Sequence, residues 1–243
     1  MGRGAIPPIR ALPRVFLPGV DLSEPVELPK LEADKFRKVL RLGTGDYVAV
    51  LPNDGSLVIC QLEGRSVRAV ERVWPQTEPE QAVTLAQALP ATNKLETILR
   101  MGTEVGAHAF ILFPSERTVV RWDAAKKAEK LPRLEAIVRE AAEQSFRCRL
   151  PAIRFQASLA EVLETAPDAI VLSEREGLRR PFTSSGPTPQ TLVVGPEGGW
   201  SPSELDLIGE RGVTLGPRVL RADTCGPIAL GLALLGTTGS IGD

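Results

Sequence analysis

The chain has 243 residues, 43% of them hydrophobic and 24% charged, with a formal net charge of −1 and a single histidine. This length supports one good core, or one core with a small satellite domain, and the near-neutral charge argues against a uniformly basic nucleic-acid binder. His108 alone cannot build a histidine metal centre or a Ser-His-Asp triad; Cys60, Cys148 and Cys225 are odd in number and far apart; and no apolar run approaches the roughly 20 residues of a membrane helix. A cytoplasmic protein without a metal or a membrane partner is therefore expected.

In chain order, Leu31, Phe36, Val39, Leu40 and Leu42 predict a short helix stopped by Gly43 and Gly45. The stretch 46–73 alternates apolar and polar residues around turns at Asn53-Asp54-Gly55 and Glu63-Gly64-Arg65, which predicts a small antiparallel β unit. WPQTEPEQ, rich in proline, reads as a linker, so the domains are placed at 1–75 and 76–243. Beyond it, strand-like runs alternate with helical patterns. VTLAQAL precedes the helix NKLETILRMGTEVG, and AFILF precedes a long connection. The helical stretch 123–147 is interrupted at Pro132, with Leu134, Ile137, Val138, Ala141 and Ala142 on one stripe and Glu140, Glu143, Gln144 and Arg147 at its polar end. AIVLS is followed by a loop that includes TSSGPTPQ, TLVVG by SPSELDLIGER, and VTLG by the apolar terminal helix GPIALGLALLG. That order predicts an α/β domain with a parallel sheet.

Two glycine-rich turns stand out, each directly after a short apolar run. Gly195-Pro196-Glu197-Gly198-Gly199 follows TLVV and precedes Ser201-Pro202-Ser203-Glu204, where Ser201 is the helix cap, Pro202 the first helical residue and Glu204 the third. The second is Leu215-Gly216-Pro217-Arg218-Val219-Leu220-Arg221. Glycine lets backbone N–H groups reach a ligand, so two such turns at neighbouring strand ends make a mainly main-chain pocket. It would be bordered by Glu197, Arg218 and Arg221 and walled by Leu172, Leu215 and Leu220. The P-loop, the dinucleotide G-x-G-x-x-G and the G-x-S-x-G elbow are all missing, and such a pocket suits a nucleoside of modest charge better than a triphosphate. Spacing alone leaves open that both turns are only tight connections.

Charge is uneven: residues 1–160 carry 23 Lys and Arg against 19 Asp and Glu, and residues 161–243 carry 6 against 11. Lys35, Arg37, Lys38 and Arg41, then Arg65, Arg68 and Arg72, then Arg147, Arg149 and Arg154 form clusters that can line a phosphate track or sit as solvated faces.

VVGPEGGWSPSEL, then LGPRVLRADTC, preceded by EAAEQSFRCRLP, together resemble the bacterial family that methylates N3 of a uridine in 16S ribosomal RNA, within the SPOUT superfamily of knotted RNA methyltransferases. KVLRLGTGD, TEVGA and Arg14-Val15-Phe16 resemble further segments of that family in the same order. The resemblance implies a small PUA-like β-barrel domain that helps hold RNA, followed by a parallel-sheet SPOUT domain with a C-terminal trefoil knot. It implies S-adenosyl-L-methionine held by Leu172, Ser173, Gly195, Pro196, Glu197, Gly198, Gly199, Leu215, Gly216, Arg218, Val219 and Leu220. It also implies a homodimer acting on small-subunit rRNA or the ribosomal subunit. Methylation at N3 requires a proton acceptor or stabilisation of the uridylate. Arg221 is expected to stabilise the anion, Glu197 or Glu143 to take the proton, and Arg14, Lys35, Arg37, Lys38, Arg41, Gln144 and Arg147 to contact RNA. The chain departs from the family pattern at Lys35, where a histidine is usual, at Pro90 and Met101 in place of lysines, and at Asp223 in place of glutamate. A SPOUT enzyme acting on another RNA position and a non-catalytic ribosome-assembly factor of the same fold remain as alternatives.

Overall fold

The computed structural model describes residues 6–90, 94–183 and 188–235. The chain divides into two compact units, one made of residues 1–78 and 142–150, the other of 79–141 and 151–243. The sequence boundary near 75 assigned 142–150 to the second domain; in the structure this segment packs with the first unit.

The first unit is built on a five-stranded sheet of β1 (Arg14–Phe16), β2 (Val26–Glu27), β3 (Tyr47–Leu51), β4 (Leu57–Glu63) and β5 (Ser66–Val73), in the order β1-β3-β4-β5-β2. β1 runs parallel to β3 and the other pairs are antiparallel. The two expected hairpins form, with left-handed backbone at Asn53 (φ 70), Gly55 (φ 96) and Gly64 (φ 67). Alternation sends Val15, Val48, Val50, Val58 and Val67 into one core and Phe16, Ala49, Leu51, Leu57 and Ile59 into a second. Ala142 and Cys148 belong to that second core, which is why the segment 142–150 joins this unit.

Between β2 and β3, α1 (Lys30–Asp34) continues into a π-helical turn, Lys35–Val39, and the chain reverses at Arg41 with φ 57. The helix therefore ends before Gly43, and the reversal falls on a non-glycine residue. Of its apolar positions Phe36 is buried, while Leu31, Val39 and Leu40 are exposed. The wider π turn shifts side chains off the 3.6-residue stripe from which they were read as core.

The second unit is a parallel sheet of β6 (Val83–Ala88), β7 (Ala109–Phe113), β8 (Ala152–Phe155), β9 (Ile170–Leu172), β10 (Gln190–Val194) and β11 (Gly212–Val213), in the order β11-β9-β10-β6-β7-β8. One face packs on α2 (Lys94–Val105), α3 (Ala124–Gln144) and α6 (Ala222–Leu234) through Leu95, Ile98, Leu134, Val138, Ala229 and Leu230. The other packs on α4 (Leu159–Thr165) and α5 (Pro202–Ile208) through Leu159, Val162 and Ile208. β8 and α4 thus follow α3 in the long connection after β7, with Ser158 capping α4 by accepting the Glu161 N–H.

α3 is continuous through Pro132, so the expected interruption does not occur. An interior proline removes one hydrogen bond and costs about 3 kcal/mol. Burial of Leu134 and Val138, at roughly 1.5–3 kcal/mol each, is large enough to offset that. TSSGPTPQ lies partly outside the described residues.

Candidate functional site

Sequence order and sheet order part company between β6 and β10, and a parallel sheet opens a crevice at its carboxyl ends near such a switch. Here a cleft of about 550 Å³ lies beyond the ends of β9, β10 and β11. Its wall takes Leu172 and Ser173 from the end of β9, Gly195, Pro196, Glu197 and Gly199 from the turn after β10, and Leu215, Arg218, Val219, Leu220 and Arg221 from the turn after β11. Gly198 and Gly216 belong to the same two turns but do not line the cleft wall.

Each turn is fixed by identifiable contacts. The Gly199 N–H donates to Pro196 O at 3.0 Å with Gly199 at φ 66, which makes the first turn tight. A Cβ built on Gly195 would lie 3.0 Å from the Trp200 ring, whose Nε1–H donates to Leu172 O at 3.0 Å and which stacks on Phe113. Glycine at 195 thus lets the indole join the first turn to the end of β9.

The Ser201 capping box is present in full. The buried Glu204 carboxylate accepts the Ser201 N–H at 3.0 Å, and also Ser115 Oγ–H and the Glu116 N–H, each at 3.0 Å. This clamps the loop after β7 onto the turn after β10. Beside it, the Arg117 guanidinium donates to Gly198 O at 3.0 Å. Thr214 shapes the second turn, its hydroxyl donating to Gly216 O and accepting the Gly216 N–H.

Arg221 is the N-cap of α6, its carbonyl accepting the N–H groups of Thr224 and Cys225, and its side chain borders the cleft. Glu197 pairs with Lys94 at 3.0 Å, and Lys94 lies 4.0 Å from Asp223. The cleft also takes in Glu174, Arg175, Trp200 and Cys225. Desolvation holds the Glu174 carboxyl above its usual range, opposed by the nearby Leu220 backbone. Burial, and then Glu174, push the Cys225 thiol up to about 12.

Lys94, Arg117, Glu174 and Arg175 escaped sequence reasoning. Each is a single charge at a helix start or in a loop, indistinguishable in sequence from a solvated one.

Glu143 lies in the first unit, where it pairs with Lys35 at 3.1 Å. Arg147 is buried, with its guanidinium 2.7 Å from Glu78, whose carboxylate also accepts the N–H groups of Cys148 and Arg149. Arg14 is buried too, donating to Ile9 O and Leu12 O and lying 3.9 Å over the Phe146 ring. Both arginines would have to leave those partners to meet a phosphate. Arg37, Lys38, Arg41 and Gln144 are exposed, Lys38 pairing with Asp34, and Lys35 is shared between Glu143 and Glu32.

The fold and cleft define an α/β protein whose parallel sheet opens a cleft at its strand ends, the usual place for a ligand in such folds. The family model described as an RNA methyltransferase domain matches residues 77–234, and the chain belongs to that family. It is 36% identical over 211 residues to ribosomal RNA small subunit methyltransferase E of Bacillus subtilis, an alignment covering 79% of this chain and 82% of that one. The protein of the same name from Mycobacterium tuberculosis is 35% identical over 79% of each chain. Among solved structures, a ribosomal RNA small subunit methyltransferase E from Neisseria gonorrhoeae bound to S-adenosyl methionine superimposes with a TM-score of 0.79 at 26% identity, covering 90% of this chain and 95% of that one.

Proposed function

We propose that this chain transfers the methyl group of S-adenosylmethionine to N3 of a uridine in small-subunit ribosomal RNA. What carries this is the cleft: two glycine-containing turns and the end of β9 converge on one space of nucleoside size, in a chain of the RNA methyltransferase family. The residues present fit the cofactor. Leu172, Leu215 and Leu220 offer apolar walls for a flat ring, and Ser173 and the turn backbones offer polar groups for its edge. At Gly199, in the cleft wall and at positive φ, a Cβ would meet nothing within 4 Å, so the first turn leaves backbone open to a ligand. Gly195, Pro196, Glu197, Gly198, Arg218 and Val219 complete the cofactor site. When bound, S-adenosylmethionine supplies an electrophilic methyl group.

The remaining work falls to side chains. Uridine N3 must lose its proton as it gains the methyl group. Glu197, paired with Lys94 at 3.0 Å in the cleft wall, accepts that proton. Arg221 cannot act as a base, but its guanidinium stabilises negative charge developing on the uracil oxygens. Because N3 lies on the Watson–Crick edge, the uridine must be unpaired or extruded. Arg37, Lys38, Arg41 and Gln144 are retained as RNA contacts, with Lys35 contributing once released from Glu143.

A PUA-like first domain, a trefoil knot formed by the C-terminal chain and a homodimer belong to the same proposal. In favour of the knot, α6 follows the edge strand β11 yet packs on β6 and β10 in the middle of the sheet. In favour of the dimer, Ile228, Leu232 and Leu235, spaced to share one helix face, are 40%, 49% and 60% exposed. The test is methyl transfer from labelled S-adenosylmethionine to unmodified small-subunit RNA and subunits, followed by nucleoside mass spectrometry. 3-Methyluridine is expected; another methylated nucleoside, or no transfer, overturns the assignment.

A further inference from the structure

The cleft carries an unequal set of charges. Lys94, Arg117, Arg175, Arg218 and Arg221 contribute cations to its wall, and Glu174 and Glu197 the carboxylates. Glu197 is engaged by Lys94 at 3.0 Å. Glu174 lines the same wall and forms no ion pair within 4 Å among the described residues. S-adenosylmethionine carries a sulfonium, an ammonium and one carboxylate, a net positive charge entering a wall dominated by cations. Favourable entry requires an anionic group whose charge is not already spent on a neighbouring cation.

We propose that the Glu174 carboxylate is the counter-charge for the cationic methionine half of the cofactor, a binding contact made from just beyond the end of β9. This rests on the methyltransferase function proposed above. Glu174 directly follows Leu172 and Ser173, so its backbone is set by the same strand that forms the cleft wall. Its carboxylate thus shares one wall with Leu220 and Arg221 of the second turn.

The test is calorimetric titration of the full-length wild type and Glu174→Gln with S-adenosylmethionine, S-adenosylhomocysteine and 5′-methylthioadenosine. The first carries both cations, the second only the ammonium, the third neither. Glutamine keeps the size and polarity of the side chain, so loss of shape is separated from loss of charge. Charged hydrogen bonds contribute enough to expect about tenfold to hundredfold weaker S-adenosylmethionine binding by the variant, with 5′-methylthioadenosine unchanged. A parallel loss for S-adenosylhomocysteine assigns the contact to the ammonium; loss for S-adenosylmethionine alone assigns it to the sulfonium. Equal weakening of all three ligands, or of none, overturns the counter-charge and leaves the methyltransferase function standing. Failure of the wild type to bind S-adenosylmethionine overturns both.

Discussion

Replacing Glu204 by alanine strips three donors of their acceptor at once: Ser115 Oγ–H, the Glu116 N–H and the Ser201 N–H. The residue is 3% exposed, so water cannot readily take its place. The serine hydroxyl can rotate to another acceptor, but the two backbone donors cannot, and each buried orphan costs about 1–3 kcal/mol. One of those two orphans, the Ser201 N–H, is the reciprocal half of the capping box. Glu204→Ala should therefore lower unfolding stability by about 3–5 kcal/mol in urea denaturation, with Glu204→Gln, which keeps one acceptor oxygen, losing roughly half as much. Because the carboxylate joins the loop after β7 to the turn after β10, S-adenosylmethionine affinity should fall in step in the folded fraction. A loss below about 1 kcal/mol for alanine, or equal losses for alanine and glutamine, would refute the assignment of Glu204 as a three-donor clamp.

Gly195→Ala places a methyl group 3.0 Å from Trp200; overpacking of this kind costs about 1–3 kcal/mol, and the displaced indole should shift its fluorescence maximum and weaken cofactor binding. Arg221→Ala should abolish transfer while leaving the S-adenosylmethionine dissociation constant within about threefold, since a charged contact to the cofactor would be worth more than that; equal loss of both would assign the arginine to the cofactor. Arg147→Ala leaves the Glu78 carboxylate half-buried without its guanidinium, so about 3 kcal/mol of stability should go while the salt slope of RNA binding holds. Charge reversal at Arg37 and Arg41 should do the opposite, flattening that slope by about one unit per contact with little change in melting temperature. The Cys60 and Cys225 thiols, both pushed up to about 12 by burial, should resist Ellman's reagent at a pH of about 8 in the native protein and react on unfolding.

What the sequence made legible was local. Ser201-Pro202-Ser203-Glu204 announces a helix start through side chains three residues apart, and the structure has that cap. Asn53-Asp54-Gly55 announces a hairpin because left-handed backbone selects those residue types, and the turn is there. The two glycine turns were visible as turns, and the leucines beside them as walls. What was not legible depended on partners distant in sequence. Arg14 and Arg147 carry the composition of a phosphate track, and only the positions of Ile9, Phe146 and Glu78 reveal that their charges are already spent. β8 was missed because its alternating exposure belongs to an edge strand with Arg154 in its middle, although Ser158 and Glu161 marked the helix after it. Pro132 was read by its local cost; tertiary burial beside it decided the outcome. The π turn at 35–39 defeated the periodicity of its segment because a helix of different pitch moves every later side chain around its axis.

The return of residues 142–150 to the first unit gives the chain an interrupted architecture. Glu78 and the Arg147–Arg149 segment meet at the two ends of the excursion from 79 to 141, and hydrogen bonds from three successive residues to one carboxylate pin those ends together. Loop-closure entropy rises only slowly with length, so a long excursion held in this way costs little more to close than a short one. A cut after Glu78 would therefore not release a finished module. It would remove Ala142 and Cys148 from the core they share with Phe16, Leu51 and Leu57, leaving an apolar sheet face to seek cover by self-association. Any excised version of this unit needs 142–150 rejoined to 78 by a short linker; as a piece of inheritance, the unit travels with its insertion or with a bridge that replaces it.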